Sequence, residues 1–309
     1  MDSTQADYAN FRAAWLAQAQ ANPWVTAGFF GAVLAVVYLL VSAVFSAADA
    51  EHTERLRYAF YAGGAGFVAT GFGAVLAVAL KQISNRTQDS MLGFAAGMML
   101  AASSFSLILP GLDAAKDITG SSILSAATVV LGLGLGTLLM LGLDHFTPHE
   151  HESTGPCGPN AERINRVWLF IFAITLHNLP EGMAMGVGFA GGDLSVGIPL
   201  ASAISIQDIP EGLAVALALR TTGLSTLTAA LVAIATGLME PIGALIGVGI
   251  SSGYALAYPI SLSLAAGAML FVVSHEIIPE THRNGHQTSA TLGLMGGFAL
   301  MMFLDTALG

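Results

Sequence analysis

Two six-residue segments repeat one chemical design 30 residues apart, His177-Asn178-Leu179-Pro180-Glu181-Gly182 and Gln207-Asp208-Ile209-Pro210-Glu211-Gly212. In each, the first and fifth residues are four apart, so a helix places His177 over Glu181 and Gln207 over Glu211 on one face. The proline lacks an N–H, so the carbonyl four residues earlier, of Leu176 or Ile206, loses its partner and is free to turn towards an ion. A third proline-adjacent acid follows in Met239-Glu240-Pro241. Glu181, Asp208, Glu211 and Glu240 all fall deep in apolar runs, where a charge costs at least about 2.5–3.5 kcal/mol in a membrane. Between Arg166 and Arg283 the only Lys or Arg is Arg220, near a helix end. Four acids without a cationic side chain at their depth are either protonated or bound to a cation. All-oxygen shells suit Ca²⁺, Mg²⁺ and Na⁺; an added imidazole favours zinc and its first-row neighbours, including iron, cobalt and nickel. The ligands suffice for two ions, with Glu181 or Glu211 bridging. Taken singly, Asn178 and Gln207 read equally well as hydrogen-bonding glue between helices.

The elements that hold these residues are membrane spans. Hydrophobic residues make up 54% of the 309 and charged residues 10%, too few to cover a soluble surface. Apolar windows between turns and charges predict nine helices, at about 25–47, 59–82, 89–111, 121–145, 165–189, 195–219, 224–250, 255–277 and 288–308. No ten-residue stretch alternates as a barrel strand would. The first 24 residues lack a basic n-region and the run that follows is too long for a signal peptide, so it counts as a span. Cys157 is the single cysteine, which rules out a disulfide within the chain or a cysteine-built metal site. The linker from His145 to Arg163 holds His149, Glu150, His151 and Glu152 before a Gly/Pro/Ser stretch and reads as a mobile polar loop. Glycines such as Gly63, Gly64, Gly66, Gly132, Gly134 and Gly136 read as close-packing positions.

With nine spans, Arg12, Lys81, Arg86, Arg163, Arg166, Arg220 and Arg283 share one side against Arg55, Arg57 and Lys116 on the other. Basic residues stay in the cytoplasm, so the N-terminus is expected inside and the C-terminus outside a cytoplasmic (inner) cell membrane.

The motif pair, Met239-Glu240-Pro241 and the His-Glu-Ile-Ile-Pro-Glu segment at 275–280 together resemble the ZIP (Zrt/Irt-like) family of metal transporters, in its bacterial GufA-type branch. The resemblance runs from the second helix to the end of the chain. It implies an all-α polytopic bundle of eight core helices in a 3+2+3 arrangement plus one extra N-terminal span. The division expected is then a tail and extra helix over 1–58 and a transporter domain over 59–309 with a cytoplasmic loop at 146–164. Implied metal ligands are His177, Asn178, Glu181, Gln207, Asp208, Glu211 and Glu240. Many relatives have His at the position of Gln207, so cadmium, iron or manganese join zinc as candidate substrates. Entrance candidates are Met99, Asp113 and Asp305, the two acids being placed at outer helix ends. Cytoplasmic exit candidates are Asp144, His145, His149, His151, His275, Glu276, Glu280 and His286.

The function expected is alternating-access transport of a divalent transition metal, most readily Zn²⁺, into the cytoplasm, with no enzymatic activity. No Walker motif is present to power it. The expected partners are metal ions, the lipid bilayer and a second copy of the chain in a homodimer, without nucleic acid. Two alternatives have other chemistry. A Ca²⁺/Na⁺ exchanger also sets acids beside prolines, but does not call for His177. An intramembrane metalloenzyme needs a second histidine that the His275-Glu276 segment lacks.

Overall fold

A computed structural model of the chain describes residues 13–46, 50–80, 83–151, 155–158 and 166–308, with side chains except at 43–46, 50–52, 149–151, 155–157, Arg166 and Phe170. Among these residues nine helices are long and apolar enough to cross a membrane. They are α1 (Pro23–Ser46), α2 (Ala50–Ala79), α3 (Asn85–Thr119), α4 (Ser122–Phe146), α5 (Arg166–Ala190), α6 (Leu194–Thr221), α7 (Thr226–Ser251), α8 (Ala257–His282) and α9 (Gln287–Leu308). The all-α polytopic bundle is therefore the architecture. Side-chain oxygens cap several starts: Ser84 accepts from Thr87 N–H, Asp193 from Ser195 N–H and Ser225 from Thr228 N–H. Gly120, with φ of 65°, closes α3 in the left-handed conformation that glycine adopts without strain. In the polar linker, β1 (His149–His151) pairs antiparallel with β2 (Gly155–Cys157).

Two helices run further than their hydropathy predicts, for one reason. Pro110 and Pro279 were expected near helix ends, yet α3 continues to Thr119 and α8 to His282. Just before each proline the helix widens into a π-helical turn, over Ala102–Ile108 and Val273–Ile277. Leu109 N–H there bonds the Ser104 carbonyl, and Ile278 N–H bonds that of Val273, so the ladder absorbs the missing proline donor. Ser103 and Ser104 hydroxyls donate to the Met99 and Leu100 carbonyls, satisfying two more acceptors. Asp113 consequently lies within α3, exposed, rather than at its end.

The helix α7 is interrupted at Gly237 and Leu238, where Leu238 N–H and Glu240 N–H bond carbonyls three residues back. A new helical segment starts at Met239, so Glu240 stands in its first turn and Pro241 sits where a helix tolerates proline.

Packing sorts the core spans into two bodies. In the first, α5 lies along α7, and α2 lies along both α6 and α7. In the second, α3 lies along α9 and α4 along α8. Within each body glycines bring backbones into contact: Gly182 against Glu240 and Gly212 against Thr70 in the first, Gly97 against Leu294 and Gly136 against Leu264 in the second. α1 touches both bodies, through α4 and α7.

Candidate metal centre

All seven residues of the two motifs and Glu240 that sequence put forward lie in the first body. Asn178, Glu181, Gln207, Asp208, Glu211 and Glu240 are between 0% and 8% exposed, too buried for solvent to carry their polarity. One carboxylate oxygen from each of Glu181, Asp208 and Glu211 lies within 4.8 Å of the other two. The helix spacing accounts for this: Asp208 and Glu211 are three apart on α6, and Glu181 faces them from α5. Gln207 Nε2 donates to Glu181 Oε1 at 2.7 Å, which fixes that carboxylate and frees the amide oxygen. Thr70 Oγ1 donates to Glu240 Oε1 at 2.6 Å.

What remains unbonded is informative. Gln207 Oε1, Asp208 Oδ2, Glu211 Oε2 and Glu240 Oε2 are buried and have no hydrogen-bond partner, nor does Asn178 Nδ2. A buried acceptor without a donor costs about 1–3 kcal/mol, and more when charged, so four together are costly unless the acids hold protons or a cation fills the space between them. Arg57 pairs with Glu54 and Arg283 with Glu280, both outside the cluster. Arg220 donates to the Ala77 and Leu80 carbonyls at the end of α2. A cluster of oxygen acceptors with one imidazole at its edge suits a divalent transition ion better than a hard one.

His177 joins the cluster to water. It lines, with Glu211, a cavity of about 970 Å³ that is also bounded by Asp89, Arg220, His275, Glu276 and Arg283. His177 Nε2 makes a short hydrogen bond to Glu276 Oε2 on α8, in the second body. In the opposite direction along α6, Leu200, Ala203 and Ile204 are fully buried and share one apolar cluster with Met99, Ala102 and Leu107 of α3. Glu211 thus borders a cavity towards the face holding residues 83–89, 220–226 and 275–284, while apolar side chains pack on the other side.

The sequence is similar to those of known proteins. The family model described as ZIP Zinc transporter matches residues 141–305. The protein called Zinc transporter ZIPB from Bordetella bronchiseptica is 67% identical over 301 residues, covering 97% of each chain. The chain belongs to the ZIP family. Within it, Zinc transporter GufA of Myxococcus xanthus is 42% identical over 78% of this chain and 95% of its own. Zinc transporter ZIP11 of Homo sapiens is 31% identical over 78% of this chain and 94% of its own. The ZIP family, here in its GufA-type branch, is one of membrane transporters and not of enzymes.

In this ZIP member the outlying candidates scatter. Met99 is buried among the apolar residues, and Asp113 is exposed on α3. Asp305 on α9 accepts a hydrogen bond from Ser106 Oγ at 2.6 Å, closing the sealed side between two helices of the second body. At the open face His275 Nε2 stands 3.8 Å from Asp144 Oδ2, and Glu280 pairs with Arg283 just past the end of α8. His145 Nδ1 lies 3.5 Å from Gln18 Nε2, turned towards the stretch before α1. The side chains of His149 and His151 lie outside the described residues. His286 Nδ1 bonds Asp89 Oδ2 at 2.8 Å, and Asn284 Nδ2 bonds Asp89 Oδ1 at 3.0 Å.

Sequence reasoning missed Asp89 and Thr70. Asp89 fell at a predicted helix start; in the fold it lies inside α3, buried and bonded to Asn284 and His286. Thr70 carried no signal, being one hydroxyl in a Gly- and Ala-rich helix.

Proposed function

We propose that this ZIP-family protein carries Zn²⁺ across the cytoplasmic membrane into the cytoplasm, through a site built by His177, Asn178, Glu181, Gln207, Asp208, Glu211 and Glu240. The observation that carries this reading is the set of buried, unpartnered acceptor oxygens, of which that of Glu211 belongs to a residue lining the cavity beside His177. The names of the relatives support zinc as the ion. The oxygen count supports two ions, one beside His177, Glu181 and Glu211 and one beside Asp208 and Glu240, with Cd²⁺ as the alternative substrate and iron or manganese held less well. The order of spans supports the 3+2+3 plan, α5 and α6 standing between α2–α4 and α7–α9.

Direction is read from charge. Arg220 and Arg283 line the cavity and Arg86 follows Asn85, which lines it too; Arg55, Arg57 and Lys116 belong to the other face. Basic residues mark the cytoplasmic side, so the cavity opens inward and the N-terminus lies in the cytoplasm. The mechanism is alternating access in which the first body, α2, α5, α6 and α7, moves with the ions against the second. The moving part is larger than the middle pair alone, because Gly182 and Gly212 lock α7 and α2 to it. The apolar seal around Leu200 and Ile204 opens outward in the other state.

Glu276 has a place in release. Its hydrogen bond takes the His177 imidazole nitrogen that would otherwise bind metal, and it reaches across from the body that stays still. Glu276→Ala is expected to slow zinc dissociation about tenfold, the effect of one hydrogen bond to a charged group, in stopped-flow capture by a chelator. Dissociation at the wild-type rate would remove Glu276 from this step.

The reading is tested by flux of zinc, cadmium and calcium into liposomes carrying the purified protein. Zinc and cadmium flux without calcium flux supports it. Calcium flux that survives His177→Ala would favour the exchanger alternative, and tight zinc binding without any flux would favour a sensor.

A further inference from the structure

The seven proposed ligands sit on α5, α6 and α7, yet α2, which contributes none, reaches the same place. Thr70 Oγ1 on α2 donates to Glu240 Oε1 at 2.6 Å inside the protein. Hydroxyls elsewhere in the spans, such as those of Ser103, Thr128 and Thr175, bond the carbonyl four residues earlier on their own helix. Thr70, like Ser106 with Asp305, instead donates its hydrogen bond to a carboxylate of another helix. The bond occupies one oxygen and leaves Glu240 Oε2 buried without a partner. One turn earlier on α2 stands Gly66, where a Cβ would overlap Glu240 Oε2 and lie 3.0 Å from Asp208 Oδ2. Asp208 Oδ2 is also buried and unpartnered. The two orphan oxygens therefore converge over a bare stretch of α2 backbone.

We propose that Thr70 is a positioning residue for the ion held between Asp208 and Glu240: its hydroxyl turns Glu240 Oε2 towards Asp208, over the space that Gly66 leaves open. This inference rests on the transport site proposed above. A hydroxyl suits the task, because it fixes the carboxylate without neutralising the charge that attracts the cation. Partners of metal ligands commonly carry ten- to a hundredfold in affinity. The adjacent position, formed with His177, Glu181 and Glu211, does not depend on Thr70.

The test titrates the purified full-length protein with Zn²⁺ by calorimetry and equilibrium dialysis, for wild type, Thr70→Val and Thr70→Ser. Thr70→Val keeps the shape and removes the donor; it is expected to weaken one of two zinc ions about tenfold or more and leave the other unchanged. Thr70→Ser, which keeps the hydroxyl, is expected to restore the wild-type isotherm. Three results would overturn the proposal: Thr70→Val titrating as wild type, Thr70→Ser failing equally, or both ions weakening together as a packing defect would make them. Zinc flux through a wild type that binds one ion would overturn it alone and leave the transport reading standing. A wild type that binds no zinc would overturn the transport reading itself.

Discussion

Glu211→Ala is expected to weaken zinc binding by the purified protein at least about a hundredfold, more than the loss of a ligand's hydrogen-bonding partner costs. Among the clustered carboxylates of Glu181, Asp208 and Glu211, Glu211 is the one that also lines the cavity. In the proposed site it would be both a ligand and the member of this cluster that borders the cavity. Its Oε2 is buried with no hydrogen-bond partner, so nothing in the fold depends on that oxygen. The metal-free variant should consequently be at least as stable as wild type, since one of several crowded acids has gone. Calorimetric titration and thermal unfolding in detergent, measured together, check both halves. Unchanged zinc affinity, or an affinity loss that merely tracks unfolding, would remove Glu211 from the site.

The second large effect lies in a residue with no chemistry. Gly182→Ala places a Cβ that would overlap the Glu240 carbonyl oxygen and lie 2.7 Å from Glu240 Cα. Both atoms are backbone and cannot swing aside, so α5 and α7 must separate. Overpacking of this kind costs about 1–3 kcal/mol, and here it also carries Glu240 away from Asp208. A lowered unfolding temperature with weakened zinc binding is the expected result. Gly64→Ala is the control, because nothing lies within 4 Å of the Cβ it would add. Equal stability of the two variants would contradict the close contact between α5 and α7.

These glycines mark where sequence stops speaking. Gly63, Gly64, Gly66, Gly132, Gly134 and Gly136 were alike on paper, all read as packing. In the fold, Gly64 and Gly134 face open space, whereas Gly66 makes room for two carboxylates. Which side of a helix meets another helix is a tertiary fact, and an apolar helix in lipid has no polar stripe to announce it. The motif residues were legible for the opposite reason: an ionisable group in an apolar run has few explanations. Span positions were legible too, because hydrocarbon demands about 20 apolar residues. Their ends were less so where a widened turn let α3 and α8 run through Pro110 and Pro279. Partner choice was not legible at all. Nothing in the spacing joins His177 to Glu276, 99 residues away, or Thr70 to Glu240, 170 residues away.

The most direct test is initial-rate zinc uptake into proteoliposomes containing the wild-type protein or His177→Ala, at equal incorporation and with an imposed zinc gradient. Saturable zinc uptake by the wild type, reduced at least about tenfold in His177→Ala, is the result that a His-and-carboxylate transport site predicts. Equal uptake by the two proteins would contradict it, and would place the path of the ion away from the buried acids.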